Sequence, residues 1–151
     1  MPAARWMIFD TNVYVAALRE GVGGPSFHRL QQAAPRTVLA SVVGAELRAG
    51  ALDASGLTAV VDLLRRFERL GRIVVPTAET WNDVGDTLAG IARREPALRT
   101  KLRGLWNDAL IALSARQIGA TLVTENLRDF ALLRRYTRFE LEPAPGVQAK
   151  K

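Results

Sequence analysis

The sequence predicts one α/β domain whose mostly parallel sheet is covered by helices on both faces. Two observations lead there. Short apolar runs rich in β-branched residues alternate with longer stretches of helical period, and glycine or proline stands at the junctions. Strands separated in this way by helices are joined by crossovers, and crossovers connect parallel neighbours.

The first strand is read at Trp6–Phe9, ending on Asp10. A helical stretch at about 12–19 follows, then the loop Gly21-Val-Gly-Gly-Pro25 and a second helix at about 26–34. Thr37–Leu39 reads as the second strand, followed by helices at about 41–52 and 57–70, the latter closed by Gly71. Arg72–Val75 is the third strand and leads to a helix at 78–94. Pro96 disfavours helical geometry in the residue before it, so a break near Glu95 is expected before helix resumes over about 98–118 and stops at Gly119. Thr121–Val123 and Arg138–Leu141 are the last strands. Residues 1–142 are assigned to the domain. The remainder, Pro143-Ala-Pro-Gly-Val-Gln-Ala-Lys-Lys151, lacks an apolar period and is expected to be a disordered tail.

A chain of 151 residues buries a sizeable core without staples. The absence of cysteine excludes disulfides and thiolate chemistry, and the single histidine, His28, leaves too little for a zinc site. Any metal here is held by oxygen. The apolar run ending at Phe9 is too short for a signal peptide or a membrane span, so a cytoplasmic location is expected. The net charge is +6, with 18 arginines against Lys101, Lys150 and Lys151. Arginine forks match phosphate oxygens, which permits a nucleic-acid partner; a solvated basic surface accounts for the same numbers.

The informative residues are carboxylates where the pattern calls for apolar side chains. Asp10 directly follows the first strand, and in parallel α/β folds ligands bind at the carboxyl ends of strands. It also suits a helix cap. Glu46 has Val42, Val43, Ala49 and Gly50 as its neighbours one turn away, a face that reads as buried. Asp108 is flanked at helical spacing by Gly104, Leu105, Ile111 and Ala112 and precedes a run that is apolar all round. For both, the competing structural reading is an internal ion pair with an arginine. Asp129 follows the strand Thr121–Val123 and stands three residues after Asn126, a spacing that also suits a capping box. Taken together, these acids are able to converge on one crevice. Clustered carboxylates repel, a divalent cation is the natural compensation, and an all-oxygen donor set favours Mg²⁺ or Mn²⁺.

Four pieces in order carry a family likeness: Phe9-Asp10-Thr11-Asn12, Glu46-Leu-Arg-Ala-Gly50, Asn107-Asp108-Ala-Leu-Ile-Ala112 and Leu122-Val-Thr-Glu-Asn-Leu-Arg-Asp129-Phe130. In them the chain resembles PIN-domain ribonucleases, and among these the VapC-like toxins of toxin–antitoxin pairs. The resemblance implies a three-layer α/β/α sandwich and a metal site of Asp10, Glu46, Asp108 and Asp129. It also implies Mg²⁺- or Mn²⁺-dependent cleavage of RNA to a 5′-phosphate, a homodimer, and a small antitoxin as partner. Thr11, Asn12, Thr124 and Asn126 would then orient the acids or contact phosphate. Glu125 departs from the pattern, since relatives often carry a basic residue there, and its role stays open.

Two other functions compete. A haloacid-dehalogenase-like phosphatase also begins with an aspartate after its first strand, but that chemistry uses Asp-x-Asp and position 12 is Asn. A non-catalytic RNA- or partner-binding protein of the same fold is the other; the presence of all four acids counts against it. Gly21, Gly23 and Gly24 match neither a Walker nor a Rossmann loop. His28 is expected at the surface. Trp6, Trp81 and Trp106 offer faces for base stacking, with Trp6 and Trp106 expected in the core.

Overall fold

The computed structural model describes residues 5–144. In chain order the elements are β1 (Met7–Phe9), α1 (Thr11–Glu20), α2 (Pro25–Ala33), β2 (Leu39–Ala40), α3 (Ser41–Gly50), α4 (Ala54–Arg69), β3 (Ile73–Val74), α5 (Ala78–Arg94), α6 (Leu102–Gln117), β4 (Thr121–Thr124), α7 (Leu127–Arg134) and β5 (Glu140–Pro143). The break expected near Glu95 is a 3-10 turn over Pro96–Lys101.

All strand pairs are parallel: β1 with β4, β4 with β5, and β2 with β3. A parallel bridge between Met7 and Thr37, with Val38 N–H donating to Met7 O at 2.9 Å, joins the two ladders. The sheet order is therefore β3-β2-β1-β4-β5. Successive strands run outward one way from β1 and then restart on its other side with β4. That reversal opens a crevice between the carboxyl ends of β1 and β4, the place where such folds bind ligands.

Helices cover both faces. Ile8, Phe9, Leu122 and Val123 point alternately to opposite sides of the sheet, and all are buried. On one part of the molecule α1 packs against α2 and α3; elsewhere α5 packs against α6, and α6 against α7. Together these make the three-layer α/β/α sandwich. Residues Ala109–Ala115 of α6 are buried on every side, as an internal helix requires.

The local chemistry follows the sequence. Asp53 and Thr77 accept the N–H of Gly56 (2.6 Å) and Thr80 (3.2 Å), capping α4 and α5. Gly21, Gly71 and Gly119 adopt φ of 79°, 62° and 66° at helix ends, where an L side chain is strained. Glu20 ties down the glycine-rich loop by accepting from Ser26 N–H (2.7 Å) and Ser26 Oγ (2.8 Å). A Cβ at Gly24 would lie 2.4 Å from that of Glu20, so only glycine fits under this clasp.

Two expectations are corrected. Trp6 and Trp106 are not core residues, being 41% and 40% exposed, and Trp6 packs instead under the Arg72 guanidinium at 5.3 Å. The tail does not begin at Pro143. β5 continues through that residue, and Ala144 is buried with its N–H donating to Thr124 O at 2.8 Å. The parallel ladder to β4 holds these residues despite their composition. The rest of the expected tail, 145–151, lies outside the described residues.

Candidate active site

The site starts from a ladder bond. Asp10 N–H donates to Val123 O at 2.9 Å, extending the β1–β4 pairing one residue and setting Asp10 beside Thr124. The Thr124 hydroxyl donates to Asp10 Oδ2 at 2.7 Å and accepts from Asn126 N–H at 2.9 Å. Asp10 Oδ1 accepts from Thr11 N–H at 2.8 Å, so Asp10 is at once the cap of α1 and a member of the crevice. The cap and the site are one residue performing both roles.

Glu46 comes from α3. Its Oε2 accepts from the Thr11 hydroxyl, and its Oε1 accepts from Asn107 Nδ2 at 2.9 Å. Both oxygens are thus oriented by neighbours from other helices. Asn107 is a contributor that sequence reasoning assigned no role; its adjacency to Asp108 was the available signal. Asp129, in the first turn of α7, accepts from Asn126 Nδ2 at 3.1 Å. Asn126 makes no side-chain cap bond to the helix, so the competing capping-box reading of Asp129 is not what forms.

Asp108 projects from α6 into the field of the other three. Burial pushes its carboxyl up to about 7, and repulsion from Asp10, Asp129 and Glu46 pushes the same way. Burial also raises the Asp10 carboxyl, opposed by hydrogen bonds from Thr124 and Thr11, with Glu46 and Glu125 raising it further. Glu125 is exposed, and its charge adds to the acidity of the crevice.

The ion-pair reading of these acids is not what the structure contains. Among the described residues the salt bridges are Arg116–Asp83 and Arg135–Glu95, neither at the crevice. Glu46 and Asp108 are also half-buried rather than enclosed, with Ala49, Gly50 and Gly104 exposed beside them. Val43, Leu105, Ile111 and Ala112 on the same faces are buried in the core, so each acid stands at the core's edge.

Four unpaired carboxylates on an all-oxygen site suit a hard divalent cation. Asn12, two residues beyond Asp10, has a buried side-chain oxygen, Oδ1, with no hydrogen-bond partner. Among the described residues, however, no three acids or histidines converge tightly enough to clasp one ion. The donor chemistry fits; a closed cage is not preformed.

Fold and site together define a parallel α/β/α domain with an acidic crevice at its strand reversal, in the place where nucleotide-binding folds carry a glycine-rich loop. Residues 7–136 match the PIN domain, and the chain belongs to that family. Solved structures with the same fold include the DNA-bound VapBC of Salmonella typhimurium, at 21% identity and a TM-score of 0.65, covering 93% of this chain and 98% of that one. VapBC2 of Rickettsia felis, bound to a promoter DNA fragment, is similar at 27% identity and TM-score 0.57, covering 91% and 97%. FitAcB of Neisseria gonorrhoeae is similar at 22% identity and TM-score 0.60, covering 89% and 95%. No curated protein matches the chain.

Proposed function

We propose that this PIN domain is a metal-dependent endoribonuclease, the toxin of a type II toxin–antitoxin pair, which hydrolyses RNA to leave a 5′-phosphate. One observation carries the reading: four carboxylates from separate elements, those of Asp10, Glu46, Asp108 and Asp129, act on one another at the strand reversal, and among the described residues no salt bridge reaches any of them. Asp10, Glu46, Asp108 and Asp129 would hold Mg²⁺ or Mn²⁺. Such an ion supplies charge compensation, polarises a phosphoryl oxygen and makes water a better nucleophile near neutral pH.

The protein's own groups do the orienting. Thr124 and Thr11 fix the Asp10 carboxylate through both its oxygens, Thr11 and Asn107 fix Glu46, and Asn126 steers Asp129. Holding ligands through such neighbours keeps reacting atoms in place. Asp108 has no side-chain hydrogen bond among the described residues, so it is the acid freest to turn toward an incoming ion or water. The similarity to VapBC and FitAcB supports an antitoxin partner, a homodimer belongs to the same reading, and no helix in the described residues is long and apolar enough to cross a membrane.

Purified protein is expected to cut single-stranded and structured RNA with Mg²⁺ or Mn²⁺ and to stop in EDTA; undiminished cutting in EDTA defeats the metal mechanism. Expressed alone it should arrest bacterial growth, and co-expression of a small neighbouring gene should relieve the arrest. A harmless protein that still cuts RNA in vitro would be a decay nuclease rather than a toxin.

A further inference from the structure

Away from the acidic crevice, a cleft of about 400 Å³ lies between the later turns of α5, the end of α6 and the turn after α7. A pocket of that size accommodates a nucleotide unit. Four guanidinium groups line it, those of Arg93, Arg94, Arg116 and Arg135, against the carboxylates of Asp83 and Asp86, and Glu95 pairs with Arg135 at its edge, which leaves a surplus of one positive charge.

The arginines are not equivalent. Arg116 is bound to Asp83 and donates to Thr137 Oγ1 at 2.9 Å. Arg135 is 3.3 Å from Glu95. Neither Arg93 nor Arg94 has a carboxylate partner among the described residues. The Tyr136 ring is flanked by Arg94 and Arg135, each 5.9 Å from its centre, and its hydroxyl donates to Glu95. A guanidinium stacked by its face keeps its N–H edge free for a bidentate acceptor. Basic residues at the end of α5 also complement the helix dipole, which accounts for Arg93 and Arg94 but not for their convergence with Arg116 and Arg135 from two other elements.

We infer that this cleft is a second nucleic-acid contact, an exosite in which Arg93 and Arg94 grip backbone phosphates of the RNA strand outside the cleavage point. The inference rests on RNA being the substrate. Arg116 lies eight residues beyond Asp108 on α6, on the order of 12 Å along the helix at ~1.5 Å per residue. Because the cleft is separate from the crevice, a strand engaging both is longer than one engaging the crevice alone. The cleft makes substrate length, not base identity, the property it reads.

The test is fluorescence anisotropy with labelled single-stranded RNA in EDTA, which reads binding without cutting. Wild type is compared with Arg93→Gln/Arg94→Gln and with Arg65→Gln/Arg69→Gln, which removes the same charge from exposed positions of α4. On RNA of about twelve nucleotides, the cleft variant should bind about tenfold more weakly, as expected for lost charge-assisted contacts. Its salt slope should fall by about 1.4, the value for two single-strand phosphates. The α4 variant should change less than about twofold, and RNA of about three nucleotides should not distinguish the proteins. Equal losses in the two variants, no loss in the cleft variant, or no binding by wild type overturns the exosite. Arginine-dependent binding by a protein that never cuts RNA would sink the nuclease reading, and with it the exosite's role in cleavage, while leaving the cleft as an RNA contact. Cutting with RNA affinity indifferent to Arg93 and Arg94 would do the reverse.

Discussion

Replacing Asp108 with Asn separates a metal-binding carboxylate from a structural one. Asn has nearly the same volume, so packing against Leu105 and Ile111 survives and no cavity opens. The change removes a charge from beside Asp10, Asp129 and Glu46. A carboxyl raised from 3.8 to about 7 binds a proton more tightly folded than unfolded. Its ionisation therefore lowers stability as pH rises through that window, and the loss is complete above about 7. Three units correspond to a ceiling of ~4 kcal/mol. Asp108 is only half-buried, and screening by solvent reduces this to about 1–2 kcal/mol. In EDTA at pH 8 the Asn variant should thus be more stable than wild type by that amount, ~2–8 °C in Tm for a chain of this size. Near pH 4 the difference should vanish. Saturating Mn²⁺ at a hundred times Kd should stabilise wild type by about 2.7 kcal/mol and the variant far less. Thermal melts at both pH values, with and without Mn²⁺, measure all of this. A variant melting far below wild type in EDTA, by the ~3–5 kcal/mol of a broken buried ion pair, refutes the assignment. So does a difference that is the same at pH 4 and pH 8.

Three further outcomes follow from the same geometry. Because ligating carboxylates must be deprotonated, calorimetric affinity for Mn²⁺ should weaken as pH drops from 8 to 6, through the raised Asp108 value; a flat profile contradicts it. Thr124→Val removes the 2.7 Å bond to Asp10 and strands the Asn126 N–H, so stability should fall by ~1–3 kcal/mol and cleavage by roughly 10–100-fold; a fully active variant means that Thr124 does not orient Asp10. Asn107→Ala should cut cleavage severalfold with little change in Tm, since Asn107 is exposed and its bond to Glu46 is its role; an equal effect in a Glu46→Gln background would show that the two act independently.

Sequence alone determined the element order, because period, β-branching and punctuation by Gly21, Gly71, Gly119 and Pro96 are local signals that the backbone obeys locally. It also singled out the four acids, because a carboxylate among apolar neighbours is conspicuous at any distance from its partners. The tertiary structure decided what those acids face. Strand order placed Asp10 and Thr124 at the reversal between β1 and β4, a consequence of pairing across more than a hundred residues that no window of sequence contains. It left Ala49, Gly50 and Gly104 exposed while Val43, Leu105, Ile111 and Ala112 went into the core, so Glu46 and Asp108 stand at the core's edge. It also exposed Trp6 and Trp106, and it drew Pro143 and Ala144 into the sheet by backbone hydrogen bonding, to which composition is blind. The arginine cleft has the same origin: Arg93, Arg94, Arg116 and Arg135 look like scattered surface charge until three separate elements bring them to one place.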